Sequence, residues 1–154
     1  MSEDFVVKRI EVEQLNQFVE LFASYREFYG QQTDGTAELA FIRERLDKGD
    51  SVIFVANIPD GETKQMIGFV QLYPSFSSVS MKRVWILNDL FVKKEFRGMG
   101  VGKALIEQSI RFSSKSESKG ITLCTAIDNY PAQELYEKMN FKKNQSFIYY
   151  YQYF

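Results

Sequence analysis

The sequence predicts an α/β fold built on a single mixed sheet, with the element order βααβββαβαβ(β). Apolar residues recur at helical spacing over 11–29 and 36–48, which indicates two consecutive amphipathic helices. Two β-rich runs flank the turn sequence Pro-Asp-Gly at 59–61, which is typical of a hairpin. A strand, a glycine-rich turn, a helix and another strand follow over 81–127, and this order predicts a parallel crossover.

The first half of the chain is expected to hold the opening strand, both helices and the hairpin. The opening strand is predicted over 5–10. The buried face of the first helix is predicted to carry Leu15, Phe18, Val19, Phe22 and Tyr25. After the second helix, the hairpin strands are predicted over 51–58 and 65–73, and a loop over 74–78.

The second half is expected to alternate strands and helices. We predict a strand over 81–92, a helix over 100–114 and a strand over 121–127. A second helix is predicted from 128 onwards, and closing strands are predicted at 141 and 146–154. Pro131 suits the first turn of the last helix. Because no repeat and no linker is evident, residues 1–154 are expected to form one domain.

The composition excludes several classes of function. The 154 residues carry a net charge of −1, so no global field points to nucleic acid or to an anionic membrane. The chain has no histidine and a single cysteine, Cys124, which excludes Ser–His and Cys–His nucleophiles, an internal disulfide and a cysteine zinc cluster. We therefore expect a cytoplasmic protein with no metal, no nucleic acid and no membrane among its partners.

The glycine-rich turn at 97–103 is the most informative segment, because an apolar strand runs into it and a helix opens directly after it. Such a turn can hold a phosphate group with backbone N–H groups. The Walker pattern fails, since Arg97 stands where its first glycine belongs and Ala104 follows Lys103. A dinucleotide fingerprint beginning at Gly98 fails as well, because Lys103 replaces its third glycine.

The remaining pattern, Arg-x-x-Gly-x-Gly over 97–102 behind an acidic strand end, resembles the acetyl-CoA pyrophosphate loop of the GCN5-related N-acetyltransferases (GNAT). The resemblance implies the GNAT fold with splayed central parallel strands, and transfer of an acetyl group from acetyl-CoA directly to a primary amine. It assigns the pantetheine arm to the backbone of the strand end at Leu90, Phe91 and Val92. The pyrophosphate is assigned to Arg97, Gly98, Met99, Gly100, Val101, Gly102 and Lys103.

A second stretch resembles the other cofactor motif of the family, in which an Asn lies seven residues before a Tyr. Here these residues are Asn129 and Tyr136, and the resemblance also places Ala132 against the cofactor. It gives Tyr136 the role of catalytic acid, because a phenol can hand a proton to the departing thiolate. The alternative for Tyr136 is a core aromatic residue on an amphipathic helix.

Asp89 is the candidate for activating the acceptor. An amine must be neutral to attack, and free alkylamines are mostly protonated at pH 7. A carboxylate next to Leu90 could attract the ammonium and pass its proton to water. The alternative is a structural acid that accepts hydrogen bonds from nearby backbone N–H groups.

Within the family, the chain looks most like the small diamine, thialysine and histone-type enzymes, and this assigns the acceptor to Tyr25, Arg26, Tyr29, Asn88 and Asp89. Two positions depart from the diamine enzymes: Asn88 replaces a Glu, and Arg26 replaces an acid. Arg26 suits a carboxylate, so an amino acid is a candidate acceptor beside polyamines. Arg26 as a solvated helix residue is the alternative.

The leading interpretation is therefore a small-molecule N-acetyltransferase. Acetylation of a protein lysine or N-terminus is one alternative, and a catalytically silent CoA-binding module is another. The aromatic tail over 148–154 predicts pairing within the sheet or across a homodimer, because a bare edge of this composition would aggregate.

Overall fold

The structure, a computed structural model, describes residues 4–60 and 63–154 of the chain. Its residues fall into two compact units, Met1–Cys124 and Thr125–Phe154, and each unit is described by itself. None of the described helices is both long enough and apolar enough to cross a bilayer.

The first unit contains a five-stranded sheet whose strands lie in chain order, β1 to β5. The strands are β1 (Val6–Arg9), β2 (Val52–Asp60), β3 (Thr63–Ser77), β4 (Lys82–Val92) and β5 (Ile121–Thr122). Neighbours in the meander from β1 to β4 are antiparallel, whereas β5 runs parallel to β4. The predicted mixed sheet is therefore confirmed.

The helices begin and end close to the predicted positions. They are α1 (Leu15–Phe28), α2 (Thr36–Asp47), α3 (Val101–Lys115) and, in the second unit, α4 (Tyr130–Lys138). Short 3₁₀ turns at Val12–Gln14 and Lys94–Phe96 precede α1 and the glycine turn. Asp34, two residues before α2, stabilises the start of the helix, since its Oδ1 accepts hydrogen bonds from the N–H groups of Thr36 and Ala37.

One face of the sheet is covered by α1. Phe18 is fully buried, and its ring lies edge-on to that of Phe69 on β3 at 5.1 Å. Phe22 and Tyr25 continue the same stripe towards the C-terminal end of α1, where Tyr25 lies 6.0 Å from Phe91 of β4. The apolar face of α1 thus ends beside the last residues of β4, which positions Tyr25 for the site described below.

The other face is covered by α3. Leu105 and Ile106 are fully buried there, and Phe112 packs against Trp85 at 5.0 Å. Gly68 of β3 lies directly beneath the start of this helix. A Cβ atom at Gly68 would lie 2.9 Å from the main-chain oxygen of Phe91 and 3.3 Å from a methyl group of Val101. A glycine is therefore required for α3 to approach the sheet this closely.

Three strand predictions differ from the structure. The loop predicted over 74–78 is largely strand, since β3 continues through Pro74 to Ser77. Proline is tolerated there because β2 begins at Val52, opposite Leu72, so that β3 has only β4 beside it at that level. The turn predicted at 59–61 reaches residue 61, which lies outside the described residues.

The strands predicted late in the chain are shorter or absent. The strand predicted over 121–127 is reduced to Ile121–Thr122, and no strand is assigned in the described residues after Thr122. The closing strands predicted at 141 and 146–154 are therefore not found. Tyr and Phe favour strands only where a neighbouring strand completes the hydrogen-bonded ladder. The residue preference of this segment does not reveal whether such a neighbour is present.

Replacing Gly68 tests the close contact beneath α3. We expect Gly68→Ala to lower the free energy of unfolding by about 1–3 kcal/mol, because the added methyl group overpacks a site bounded by backbone. Urea unfolding followed by circular dichroism measures the change. Ala56→Gly, on the neighbouring strand β2, is a control that removes a buried methyl group instead of adding one, so it should open space without displacing α3. A Gly68→Ala variant as stable as the wild type would show that α3 does not rest on this glycine.

Candidate active site

The glycine turn joins β4 to α3 and leaves open space above its backbone. Gly98 and Gly100 have φ values of +79° and +84°, which residues with a Cβ rarely adopt. A Cβ built on either glycine would meet no atom within 4 Å. Because α3 begins at Val101, the N–H groups of its first turn lack intrahelical acceptors, and the positive end of the helix would attract an anion bound at this turn.

Arg97 fastens the turn to the end of β4. Its Nε donates a hydrogen bond of 2.9 Å to the main-chain oxygen of Val92. Its guanidinium also lies over the rings of Phe28 and Phe91, 5.3 and 5.9 Å from their centroids. The sequence predicts an ion-pairing role for Arg97, and the structure adds a positioning role that its motif does not reveal.

The edge of β4 beside the turn is unpaired over most of its length. Among the described residues, β5 pairs with β4 only at Trp85 and Ile86. From Leu87 to Val92, strand pairing within the described part of the chain is found only on the β3 side. There the register slips between Gln71 and Leu72, so that Asn88 is an extra bulged residue. The strand end at Leu90–Val92 can therefore accept an extended amide-bearing arm as an additional strand.

These features fit a cofactor with a diphosphate and an amide-bearing arm. The open space at Gly98 and Gly100 gives room for phosphate oxygens near backbone donors. Lys103 adds an exposed ammonium, 3.8 Å from Glu107, in the first turn of α3. The free edge of β4 includes Leu90–Val92, directly after Asp89, and leads towards this turn.

A cavity of about 540 Å³ opens beside the same strand. It brings together all the residues that the sequence assigns to the acceptor, namely Tyr25, Arg26, Tyr29, Asn88 and Asp89. The other lining residues are Phe22, Gln31, Ala37, Glu38, Phe41 and Tyr73. The cavity thus lies between the ends of α1 and α2 on one side and β3 and β4 on the other.

Asp89 is buried, with 5% of its surface exposed, and three neutral groups hold its carboxylate. Tyr25 Oη donates to Oδ1 at 2.5 Å, and Gln71 Nε2 donates to Oδ2 at 2.6 Å. Asn88 Nδ2 also donates to Oδ1, at 3.1 Å. A carboxylate has about four acceptor positions, so Asp89 retains the capacity for one further donor.

Gln71 and Ser51 support Asp89 from behind, and the sequence analysis missed both. Gln71 is fully buried, and its Oε1 accepts a hydrogen bond of 2.7 Å from Ser51 Oγ. This bond fixes which end of the Gln71 amide faces Asp89. The available signal was a lone amide between Val70 and Leu72, in the middle of the otherwise apolar run over 66–73.

Arg26 forms an ion pair with Glu38 within the cavity lining. Arg26 Nη1 lies 2.5 Å from Glu38 Oε1, and the side chain of Glu38 is only 1% exposed. The same Nη1 donates to the main-chain oxygen of Gln32, while Gly35 N–H donates to Glu38 Oε2. A hydrogen bond from its own backbone and the bond from Arg26 lower the pKa of the Glu38 carboxyl, against the opposing effect of desolvation. Glu38 therefore balances the charge of Arg26.

Both tyrosine hydroxyls beside Asp89 are held in the protonated form. Burial raises the pKa of Tyr25, and the hydrogen bond to Asp89 raises it further. Burial also raises the pKa of Tyr73 to about 12, with the negative charge of Asp89 as the second cause. Both groups are thus neutral at physiological pH, which leaves the carboxylate of Asp89 as the charge that they face.

In the second unit, the predicted cofactor residues lie on and before one short helix. Asn129 caps α4, and its Oδ1 accepts a hydrogen bond of 3.3 Å from Ala132 N–H. Tyr136 lies two turns later on α4, and its ring packs 5.9 Å from that of Phe141. The seven-residue spacing therefore corresponds to a helix cap and a side chain two turns further along.

The raised pKa of Tyr73 predicts how stability changes in alkali. The unfolded chain releases this proton near pH 10.0 and the folded protein near pH 12, so stability falls as the pH rises between these values. We expect Tyr73→Phe to reduce this loss of stability by about 1 kcal/mol, because it removes the ionisable hydroxyl. Solvent screening of the partly exposed hydroxyl keeps the effect this small. Urea unfolding at pH 8 to 11.5 measures it, and Tyr150→Phe on an exposed tyrosine is the control. Identical alkaline slopes for all three proteins would contradict the assignment.

Comparison with known proteins identifies the family. The model of the acetyltransferase (GNAT) family matches residues 15–141. The uncharacterized N-acetyltransferase YhfO of Bacillus subtilis is 42% identical over 130 residues, which span 84% of this chain and 85% of that protein. The D-amino-acid N-acetyltransferase of Saccharomyces cerevisiae is 28% identical over 151 residues, 94% of this chain and 89% of that protein.

A solved structure described as a probable acetyltransferase is 35% identical, has a TM-score of 0.89 and covers 97% of both chains. Enzymes of this family use acetyl-CoA as their acetyl donor. The glycine turn, the free edge of β4 and these matches together show that the chain belongs to the GNAT family and is an acetyl-CoA-dependent N-acetyltransferase.

Proposed function

We propose that this protein transfers the acetyl group of acetyl-CoA to the primary amine of a small molecule, with amino acids and polyamines as the candidate acceptors. The observation that carries the proposal is the cavity of about 540 Å³ with the buried carboxylate of Asp89 in its lining. Asp89 directly precedes the free strand edge at Leu90–Val92. An amine bound at Asp89 would therefore lie beside the cofactor arm, as direct transfer requires.

When bound, acetyl-CoA supplies an acyl group activated as a thioester. We propose that the backbone of Leu90 and Val92, flanking Phe91, holds the arm, and that the turn at 97–103 holds the diphosphate with N–H groups and the charges of Arg97 and Lys103. Asn129, Ala132 and Tyr136 are the proposed contacts from the second motif.

Asp89 is the proposed site of proton removal from the acceptor. Its carboxylate attracts the ammonium through the acceptor position that remains on it, and can hold or pass on the proton that the amine must lose. The hydrogen bonds from Tyr25, Gln71 and Asn88 keep the carboxylate fixed while this happens. Tyr136 Oη is the proposed proton donor towards the sulfur side of the reaction.

A small amine is favoured over a protein acceptor because the cavity of about 540 Å³, lined by α1, α2, β3 and β4, has the size of a small-molecule site. The D-amino-acid N-acetyltransferase of yeast supports amino acids as one candidate class. Acetylation of a protein lysine or N-terminus is the alternative that a more open groove would suit. A cytoplasmic location and a homodimer remain predictions, and light scattering at high concentration tests the homodimer.

Substituting Asp89 tests the proposed proton removal. We expect Asp89→Asn to lower kcat/KM for amines by about 10²-fold, because it removes the charge that draws the ammonium. The fold should persist, since reversing the Gln71 amide lets it accept from the N–H group of the introduced amide and donate to Ser51. Release of free CoA across amino acids, polyamines and peptides measures the rate, and Asp47→Asn on an exposed acid is the control.

In this experiment, unchanged turnover by Asp89→Asn would remove Asp89 from the mechanism. Binding of CoA by the wild type without release of CoA on any amine would instead favour a silent CoA-binding module. Turnover confined to peptides would favour a protein acceptor.

Replacing Tyr136 tests the proposed acid. We expect Tyr136→Phe to lower kcat by about 10²-fold while KM for acetyl-CoA changes little, because the ring stays and only the proton donor is lost. Tyr130→Phe removes a hydroxyl from the exposed start of the same helix and serves as the matched control. A rate unchanged by Tyr136→Phe with every acceptor would reject the acid role.

A further inference from the structure

Aromatic rings form much of the wall of the acceptor cavity. Rings from α1, from the residue after it, from α2 and from β3 line the cavity, namely Phe22, Tyr25, Tyr29, Phe41 and Tyr73. Phe22 and Phe41 are stacked with an interplanar angle of 6°, and Tyr25 and Tyr29 meet at 66° with centroids 5.1 Å apart. These rings offer both flat faces and edges to a guest, which suits a planar apolar group.

The charges of the lining leave a single negative charge for a guest. Glu38 and Arg26 neutralise each other within an ion pair. Asp89 receives hydrogen bonds from Tyr25, Gln71 and Asn88, all of which are neutral. The lining residues therefore carry a net charge of −1, located at the buried end of the cavity where β4 passes.

We propose, building on the acetyltransferase function proposed above, that the acceptor is a monoamine with an apolar aromatic body, that is, an arylalkylamine. Its ammonium binds Asp89, and its ring packs among the aromatic side chains of α1, α2 and β3. The single charge of the guest matches the single charge of the lining. Aromatic faces near the ammonium add a cation–π attraction that strengthens when water is excluded.

The two other acceptor classes fit the charges less well. The second ammonium of a polyamine needs a carboxylate, and the carboxylate of Glu38 is already in an ion pair with Arg26. An amino acid brings a carboxylate that would need Arg26, and removing Arg26 would leave Glu38 buried without its partner. A monoamine with a ring requires neither change.

The test compares three amines with the wild-type enzyme: 2-phenylethylamine, spermidine and phenylalanine. We expect kcat/KM for 2-phenylethylamine to exceed that for either of the others by about tenfold or more. A higher kcat/KM for spermidine would overturn the inference by showing that the cavity holds a second cation. A higher value for phenylalanine would overturn it by showing that Arg26 binds the carboxylate of the acceptor.

Variants of the rings test whether the preference comes from the wall. Tyr29 and Phe41 are 60% and 41% exposed, so Tyr29→Leu and Phe41→Leu should fold normally. We expect each to raise KM for 2-phenylethylamine several-fold and KM for spermidine by a clearly smaller factor, because only the aromatic body of the monoamine packs on the rings. Phe76→Leu, which replaces an exposed ring outside the lining, is the matched control. Equal losses on both amines would count against recognition by the rings.

The design separates this inference from the function on which it rests. If none of the three amines releases CoA, the proposed small-molecule activity fails. Calorimetric titration of the same amines into the protein saturated with CoA then decides the inference, since tighter binding of 2-phenylethylamine supports the assigned class and equal or weaker binding overturns it.

Discussion

The buried carboxylate of Asp89 is the interaction on which the rest of the site depends. A charge taken out of water is destabilising unless hydrogen bonds replace its hydration. Here the replacements come from Tyr25 on α1, Gln71 on β3 and the adjacent Asn88, and Gln71 is itself held by Ser51. The end of α1 is thereby tied to the middle of the sheet. The same bonds that stabilise the charge also fix the cavity wall around it.

The strand β4 serves both halves of the proposed reaction. At the register slip, β4 contributes Asn88 and Asp89 to the cavity lining, and the unpaired edge at Leu90–Val92 follows directly. Bulges often occur at such positions because they redirect side chains without ending the strand. Beyond the edge, Arg97 bonds back to Val92, so the glycine turn is held at a fixed place relative to the strand. Gly68 completes this arrangement by letting α3 rest directly on the sheet.

Much of this arrangement could be predicted from the sequence, because the signals are local. Glycine at positions 98 and 100 indicates a backbone with positive φ, and the periodicity from Leu15 to Tyr25 indicates the buried face of α1. What the sequence did not reveal depends on partners far apart in the chain. The role of Gln71 depends on Ser51 and Asp89, and the pairing of Arg26 depends on Glu38 across a loop. The extent of β3 past Pro74 and the short β5 likewise depend on which neighbour each strand has.

Amide hydrogen exchange with and without CoA tests the central claim, that the cofactor binds along β4 and the glycine turn beside the Asp89 cavity. CoA is predicted to slow exchange at Leu90, at Val92 and at 98–103, where the free strand edge and the first turn of α3 offer their N–H groups. Adding an amine acceptor to the CoA complex is predicted to slow exchange further in the segments that line the cavity. Protection by CoA elsewhere, with the strand edge and the turn exchanging as in the free protein, would contradict the account.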